Sequence, residues 1–498
     1  MKNSTAQFNN AEWHCEERSP ERTSGEAISL SDQPATARLL RRTTARNDNR
    51  LLMLAGCFVT IIAVSFSQPQ RIAGADSIAN EVKKEFLHSW NAYKKHAWGA
   101  DGIRPLSKQP YNWYDESLLM TPIDAFDTMI LMGLTKETDE TKQLILSSLS
   151  FDKNLSVKNF EITIRILGGL LSAYQLTGEQ KFLSLAEDLG NRLLPVFESP
   201  TGLPYVNINL KTGRVDGDTT NPAETGTLLI EFGTLSKLTG KPVYYEKAKR
   251  ALVETYERRS PIGLVGQSIS VNTGQWVRTN SHLGGMIDSY YEYLFKCWKL
   301  FGDTQCKMMW DESIIAIQKY LPDTVRGELW YGRVDMNTGK KTIRAWGGLE
   351  SFFPGLLAYS GDIDRAKKLQ QSCYAMWNKH GIEPESYDYV DQKVRRNGYP
   401  LRPEIIESAY YLYKITGDTL YQHMGVTFFE SLKKYCRTDA GYAELKDVIT
   451  KEKEDMMESF FFAETLKYLY LLFAPPSTLD LNTVVFNTEA HPIKKTWK

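Results

Sequence analysis

The 498-residue chain has little cysteine and no net charge. Its six cysteines are scattered and include no Cys-x-x-Cys pair, so the sequence indicates neither a zinc site of that kind nor a thioredoxin-like motif. Sixty basic and sixty acidic residues cancel, which removes the overall field that draws proteins onto nucleic acid. We therefore expect no nucleic-acid partner.

Several short catalytic motifs are also missing. The chain contains no P-loop, no Gly-x-Gly-x-x-Gly, no His-Glu-x-x-His and no Gly-x-Ser-x-Gly. These absences argue against an NTPase, a dinucleotide-binding enzyme, a zinc metalloprotease of that type and an α/β-hydrolase. We expect no nucleotide cofactor.

The N-terminal region predicts a membrane anchor. Residues 1–50 are polar without apolar periodicity, which predicts a disordered tail. The tail ends in a basic run, and the uncharged apolar segment 51–67 follows it. This pattern predicts a single-pass type II anchor in the endoplasmic reticulum or Golgi membrane, a stem at 68–80 and a luminal domain at 81–498. The alternatives for segment 51–67 are a cleaved signal peptide and a buried helix of the domain. If the domain is luminal, Asn154 is a usable glycosylation site.

Helical phrases recur along the rest of the chain. Apolar residues spaced three and four apart precede a glycine at intervals of about 60 residues, which is typical of helices with a left-handed C-cap. These phrases end at Gly178, Gly240, Gly302, Gly361 and Gly417. An earlier phrase ends at Gly133, and a last one ends without a glycine at Phe473. This period accommodates two helices, so the sequence predicts seven αα-hairpins.

The segments between the helices favour a closed ring over an open solenoid. Segments 199–221 and 258–280 are long and irregular, with turn signals at Gly213, Gly274 and Gly339 that predict short β-hairpins. We therefore predict an all-α fold, an α/α toroid with β-hairpins on one face.

Acidic residues occur where the helix starts are otherwise apolar or aromatic. They recur about once per hairpin: Glu161, Glu224, Asp288, Glu404, Glu407, Glu458 and Glu464. Buried carboxylates cost several kcal/mol unless paired or bound to a ligand, so the set predicts a shared polar centre. The alternative is that each acid caps a helix N-terminus, with Arg165 and Arg402 as salt-bridge partners.

Such a centre suits the hydrolysis of a glycosidic bond. That reaction needs one protonated carboxyl group to donate to the leaving oxygen and one carboxylate to activate water or attack carbon. Acids beyond these two suit calcium, which takes six to eight oxygen ligands.

At these residues the sequence resembles glycoside hydrolase family 47, the class I α-1,2-mannosidases, from about residue 80 to the end. The supporting phrases, in the order of the family, are WNAYKKHAWGADGIRPLS, IDAFDTMILMGL, FEITIRILGGLLSAY, IDSYYEYL, LRPEIIESAYYLY, ESFFFAETLKYLYLLF and FNTEAHP. The resemblance implies an (α/α)7 barrel plugged by a C-terminal hairpin, a bound Ca2+ ion and hydrolysis with inversion. The implied substrates are high-mannose N-glycans, from which terminal α-1,2-linked mannose is removed.

Residue roles follow from the matching motifs. Glu161 resembles the general acid, Glu404 the general base and Asp288 a third essential carboxylate. Thr488 resembles the residue that binds calcium directly. The positions that resemble the sugar subsite are Arg165, Arg402, Glu407, Phe460 and Glu464.

Two departures bear on the subtype. Met286 stands where relatives that remove a single mannose have an arginine, so the branch preference stays open. Ser351 replaces a cysteine that processing mannosidases pair with the one matching Cys373, so Cys373 lacks that partner and the disulfide pairing stays open. The phrase at Ser351 also resembles the ER degradation-enhancing mannosidase-like branch. A mannose-binding, lectin-like quality-control protein and an enzyme of another α/α toroid family are the rival hypotheses.

Overall fold

The structure is a computed structural model, and it describes residues 70–495. Fourteen helices of eight or more residues lie in this range. They are α1 Ala75–Ala97, α2 Met120–Met132, α3 Thr135–Ser148, α4 Gly168–Thr177, α5 Gln180–Leu193, α6 Leu229–Thr239, α7 Pro242–Glu257, α8 Asp288–Phe301, α9 Thr304–Tyr320, α10 Phe353–Ser360, α11 Ile363–His380, α12 Glu404–Thr416, α13 Leu420–Tyr435 and α14 Leu466–Phe473. Shorter helical segments are Asn159–Glu161, Ile162–Leu167, Leu194–Phe197, Pro222–Gly226, Leu349–Phe352, Phe461–Thr465 and Pro476–Thr478.

Seven of these helices form an inner ring. In ring order they are α2, α4, α6, α8, α10, α12 and α14, and α14 meets α2 again through the helical turn Phe461–Thr465. Each inner helix packs against an outer partner, which is the next helix in the chain for the first six and α1 for α14. The described residues thus confirm the predicted α/α barrel, with seven helix pairs.

The apolar core lies between the two layers, and local sequence signals fix the helix ends. Aromatic pairs join the layers, for example Phe295 of α8 and Trp310 of α9 with ring centroids 5.3 Å apart. Six inner helices end at a glycine with φ between 66° and 101°, at the six glycines predicted from the repeat. This left-handed conformation suits glycine because it has no Cβ.

Short antiparallel hairpins and three-stranded sheets connect the helices. The two-stranded ones are Gly102–Arg104 with Gln109–Tyr111, Pro322–Val325 with Glu328–Tyr331, Arg437–Thr438 with Gly441–Tyr442, Leu445–Asp447 with Glu452–Lys453, and Val484–Phe486 with Pro492–Lys494. The three-stranded ones are Ser156–Lys158, Asn207–Asn209 and Val215–Asp216; Thr219–Thr220, Ser268–Ser270 and Trp276–Arg278; Asn280–Ser281, Arg333–Asp335 and Lys341–Ile343; and Ala345–Trp346, Ser386–Asp388 and Lys393–Arg396. The three predicted turns all connect strands, with φ near 70° at Gly213, Gly274 and Gly339.

The last hairpin, Val484–Phe486 with Pro492–Lys494, inserts into the ring; we call it the C-terminal hairpin. Its loop contacts inner helices through Asn487, whose amide donates to the Ile164 carbonyl at 2.8 Å, and through Lys467 Nζ, which donates to the Ala490 carbonyl at 2.6 Å. A Cβ at Gly168 would lie 2.6 Å from the Asn487 side chain, so glycine is required for this close approach. The predicted plug is therefore confirmed.

The N-terminal boundary of the domain differs from the prediction. Helix α1 begins at Ala75, inside the predicted stem 68–80, and Ala75 and Ala79 are buried. The backbone amide of Ile72 also donates to the Gln422 side chain at 2.9 Å. The stem prediction was wrong at this end because α1 begins with small and polar residues that resemble a linker.

Two further predictions meet the structure only in part. Between residues 70 and 495, no helix combines the length and the apolar character needed to span a membrane. The predicted tail 1–50 and anchor 51–67 lie outside the described residues, so the anchor stays a prediction. Cys297 and Cys306 form a disulfide, a pairing that the sequence left open. Cys373, which lacks the usual partner at Ser351, is buried and free.

Candidate active site

The predicted acids lie at the N-terminal ends of the inner helices. Asp288 and Glu404 are the first residues of α8 and α12, Glu161 directly precedes the turn that leads into α4, and Glu458 precedes the turn that leads into α14. The inner helices run in the same direction, because the first six are each followed by an outer helix that returns and α1 leads into the first of them. The acids therefore meet at one face of the barrel.

Arg165 connects the predicted general acid to the C-terminal hairpin. Its Nε donates to Glu161 Oε2 at 3.1 Å, and the guanidinium group also pairs with Glu489 and lies 3.8 Å from Asp124. The ring of Phe460 lies 5.7 Å from the guanidinium carbon, so this predicted sugar-subsite residue lies beside Arg165. Arg165 lies in the π-helical turn Ile162–Leu167, and such turns are frequent at functional sites.

Arg402 holds a second group of carboxylates. It forms a bidentate ion pair with Glu385, at 2.8 and 3.1 Å, and lies 3.9 Å from Glu404. Glu404 Oε2 is buried and has no hydrogen-bond partner among residues 70–495. Burial raises the pKa of Glu404 to about 7, against the opposing effect of Arg402, and the negative charges of Glu385 and Asp288 add to the rise. A base with a pKa near 7 is suited to catalysis near neutral pH.

Asp288 shares the environment of Glu404. Burial raises its pKa to about 6, although hydrogen bonds from the backbone and side chain of Ser289 oppose the rise. Glu292 and Glu350 contribute like charge. The interaction between Asp288 and Glu404 shows that the structure brings these two predicted carboxylates together.

Glu407 and Glu464 lie deeper in the barrel. Tyr468 donates a hydrogen bond to Glu407 at 3.2 Å. Burial, followed by Glu292, raises the pKa of Glu407 to about 8. Burial also raises the pKa of Glu464 well above its usual value, with Glu489 and Glu404 as the largest like-charge contributions. This crowding of carboxylates is the electrostatic environment that a divalent cation stabilises.

Thr488 lies at the tip of the C-terminal hairpin, half-buried and next to Glu489. Its backbone amide donates a hydrogen bond to the Tyr293 hydroxyl at 3.2 Å. The nearby side-chain atoms that could bind a metal ion include carboxylate and hydroxyl oxygens, which are hard ligands of the kind that calcium prefers. The residues around Thr488 therefore fit a calcium ion.

Several site residues were missed from the sequence. Glu385, Glu350 and Glu489 contact or interact with the predicted residues. Glu383 is buried, and its Oε2 accepts a hydrogen bond from the Ser351 hydroxyl at 3.5 Å. Three of them lie outside the regular helices, where no helical periodicity marks them. The dense acids in the segment GIEPES, shortly before LRPE, were the available signal.

Glu224 behaves differently from the other predicted acids. Its carboxylate forms a 2.8 Å ion pair with Lys158 and accepts a hydrogen bond from Thr220. Asn221, not Glu224, caps the helical segment Pro222–Gly226. Glu224 is thus charge-paired at the barrel face and is not grouped with Glu404.

The electrostatics predict the acidic limb of the pH profile. If Glu404 must be ionised to act as base, kcat/KM falls as pH decreases through its raised pKa of about 7. We expect the limb to lie above the ordinary glutamate value of about 4.3. Initial rates with an oligomannose substrate from pH 4 to 9 measure it. A limb at the ordinary value would contradict the assignment of Glu404 as base.

Comparisons with known proteins show the family of the chain. The chain is 37% identical over 484 residues to human ER degradation-enhancing alpha-mannosidase-like protein 2, covering 89% of this chain and 82% of that protein. It is 36% identical over 439 residues to the mannosyl-oligosaccharide 1,2-alpha-mannosidase MNS1 of Arabidopsis thaliana, covering 83% and 78%. The solved alpha-1,2-mannosidase from Trichoderma reesei is 30% identical with a TM-score of 0.78, covering 84% of this chain and 99% of that one. Residues 85–495 match the sequence profile of glycosyl hydrolase family 47, and the chain belongs to this family.

Proposed function

We propose that this protein is a calcium-dependent, inverting glycosidase that removes terminal α-1,2-linked mannose from high-mannose N-glycans. The observation that carries the proposal is the group of partly buried carboxylates at one barrel face, which contains Glu161, Asp288 and Glu404 with two arginines. The names of the Arabidopsis and Trichoderma relatives support the α-1,2-mannose bond as the target. The human relative's name supports a role in ER quality control.

The chain's own residues have distinct parts in this reaction. Glu161 donates a proton to the leaving oxygen, directly or through water, and Glu404 removes a proton from the attacking water. Arg165 orients Glu161, and Arg402 holds Glu385 beside Glu404. For inversion, we expect the Glu161 and Glu404 carboxyl groups to lie about 6.5–9.5 Å apart.

The sugar is held by groups deeper in the barrel. Phe460 offers an aromatic face for the apolar side of the mannose ring, beside the Arg165 guanidinium group. Thr488 would hold calcium, and Glu464 and Glu489 would balance its charge. When bound, calcium orients and polarises sugar hydroxyls.

Incubation of the purified full chain with a high-mannose glycan, with and without a calcium chelator, tests the proposal. We expect successive loss of mannose in the mass spectrum and at least a tenfold lower rate after chelation, restored by added Ca2+. Binding of the glycan without any loss of mannose would instead support the lectin-like alternative. Activity that is indifferent to chelation would contradict the calcium requirement.

We also infer residence in the early secretory pathway, with the catalytic domain in the lumen. The basic run before the apolar segment 51–67 supports a type II membrane anchor, and the names of the relatives support the endoplasmic reticulum. Protease protection of residues 70–495 in sealed microsomes is the expected result.

A further inference from the structure

A cavity of about 440 Å³ opens beside the candidate active site. It is lined by residues 96–100, at the C-terminal end of α1, and by residues 110–112, at the end of the hairpin Gly102–Arg104 with Gln109–Tyr111. Its volume falls in the range of about 300–1,000 Å³ that is typical of small-molecule sites. None of its lining residues belongs to the acid cluster.

The cavity and the acid cluster lie at the same end of the barrel. Helix α1 is an outer helix, antiparallel to α14, so its C-terminal end lies where the inner helices begin. Tyr111 connects the two directly, because it lines the cavity and its hydroxyl donates to Glu458 Oε2 at 3.3 Å. The next aromatic residue, Trp113, lies under the Arg165 guanidinium group at 5.1 Å. One layer of side chains therefore separates the cavity from the site of Glu161.

An exposed tryptophan forms one side of the cavity. Trp98 is 40% exposed, yet its ring is fixed by edge contacts with Trp90 at 6.0 Å and Tyr93 at 6.1 Å. Lys94 Nζ lies 5.7 Å from the same ring. An immobilised aromatic face loses little conformational entropy when an apolar sugar face stacks on it.

The polar side chains in the lining are those of His96, Tyr111 and Asn112. Asn112 is exposed, and its Oδ1 accepts a hydrogen bond from the Asp101 amide at 3.0 Å, which fixes the orientation of the side-chain amide. The lining contains no Asp, Glu, Lys or Arg. A fixed aromatic ring beside amide and hydroxyl groups, with no carboxylate, lysine or arginine in the lining, matches a neutral, polyhydroxylated ligand better than an anion or an apolar molecule.

We propose that this cavity is a second carbohydrate subsite, which binds mannose units on another arm of the branched glycan whose terminal mannose enters the acid cluster. This inference rests on the proposed function, since it deepens the recognition of the same substrate. The subsite would increase the affinity for a branched glycan and leave the cleavage of a short one unaffected.

Two variants of the full chain, Trp98→Ala and Asn112→Ala, test the proposal against two substrates. For a branched high-mannose glycan we expect kcat/KM to fall about fivefold or more with Trp98→Ala, through KM, and less with Asn112→Ala. For α-1,2-linked mannobiose, which cannot reach both places, we expect no change. Ile315→Ala, which also truncates an exposed apolar side chain on an outer helix, is the matched control and should match the wild type on both substrates.

The outcomes distinguish glycan binding by Trp98 from a structural role of Trp98, and they test the subsite separately from the proposed function. Equal losses on both substrates would show that Trp98 supports the fold, and unchanged kinetics of both variants on the branched glycan would also overturn the subsite. Asn112→Ala serves if Trp98→Ala does not fold, because the Asn112 side chain is exposed. If the wild type cleaves neither substrate, the proposed function fails. In that case, weaker binding of the branched glycan by the variants would still support the subsite. Unchanged binding would overturn the subsite.

Discussion

Glu404→Gln is expected to lower kcat for mannose release by about 100- to 10,000-fold, the usual contribution of a general acid or base. Glutamine keeps the shape of the side chain but cannot accept a proton from water. Glu404 is largely buried, and one of its oxygens has no hydrogen-bond partner among residues 70–495. Arg402, 3.9 Å away, keeps its bidentate ion pair with Glu385 after the substitution. Single-turnover rates with a high-mannose glycan measure the effect, and thermal unfolding shows whether the fold is kept.

A substrate with a good leaving group distinguishes base from acid. Glu161→Gln should lose a similar factor on a natural glycan, yet it should recover on a mannosyl fluoride, whose departure needs no proton. Glu404→Gln should not recover, because water must still be activated. Glu187→Gln, which breaks an ion pair between the outer helix α5 and Lys241 just before α7, is the charge-matched control and should retain full activity. Near-normal activity of Glu161→Gln on the natural glycan would remove that residue from the acid role.

The sequence predicts the parts of the fold that repeat. Left-handed glycines such as Gly178 and Gly240 close helices regardless of what packs around them, so their spacing alone predicts the inner helices. The acids at the helix starts are visible for the same reason, because Asp288 and Glu404 interrupt an apolar pattern. The closing of the ring depends on contacts between distant residues, which periodicity does not reveal. The resemblance to a family predicted the closed barrel with its C-terminal hairpin.

The remaining site residues depend on tertiary structure. Glu385 lies in a loop after α11, and only the folded chain places it within 2.8 Å of Arg402. The pairing of Cys297 with Cys306 was likewise open, since any of the four cysteines in the domain could have paired on spacing alone. The start of α1 was missed because its sequence resembles a linker and its burial comes from packing against α14.

Lys467→Met is expected to lower the free energy of unfolding by about 3–5 kcal/mol, the typical cost of removing one partner of a buried ion pair. Lys467 is buried, and its Nζ lies 2.7 Å from Asp127 Oδ1 while donating to the Ala490 carbonyl of the C-terminal hairpin. Asp127 also bonds His491 of that hairpin at 2.7 Å. Although burial opposes ionisation, Lys467 and His491 keep the pKa of Asp127 low, so removal of Lys467 leaves a buried carboxylate with one cation fewer. Urea unfolding followed by circular dichroism measures the loss.

The second substitution of a double-mutant cycle shows whether the loss comes from the ion pair. Adding Asp127→Asn removes the uncompensated charge, so the double variant should be less destabilised than the sum of the two single variants. Lys495→Met, which removes a half-exposed lysine after the same hairpin, is the matched control and should cost less than about 1 kcal/mol. A loss of that small size for Lys467→Met would mean that apolar packing, not this ion pair, holds the hairpin in the barrel. Thr488 and Glu489 lie in the loop that Lys467 anchors. A destabilisation of about 3–5 kcal/mol by Lys467→Met should therefore also weaken calcium binding, and a chelator titration of the variant measures this effect.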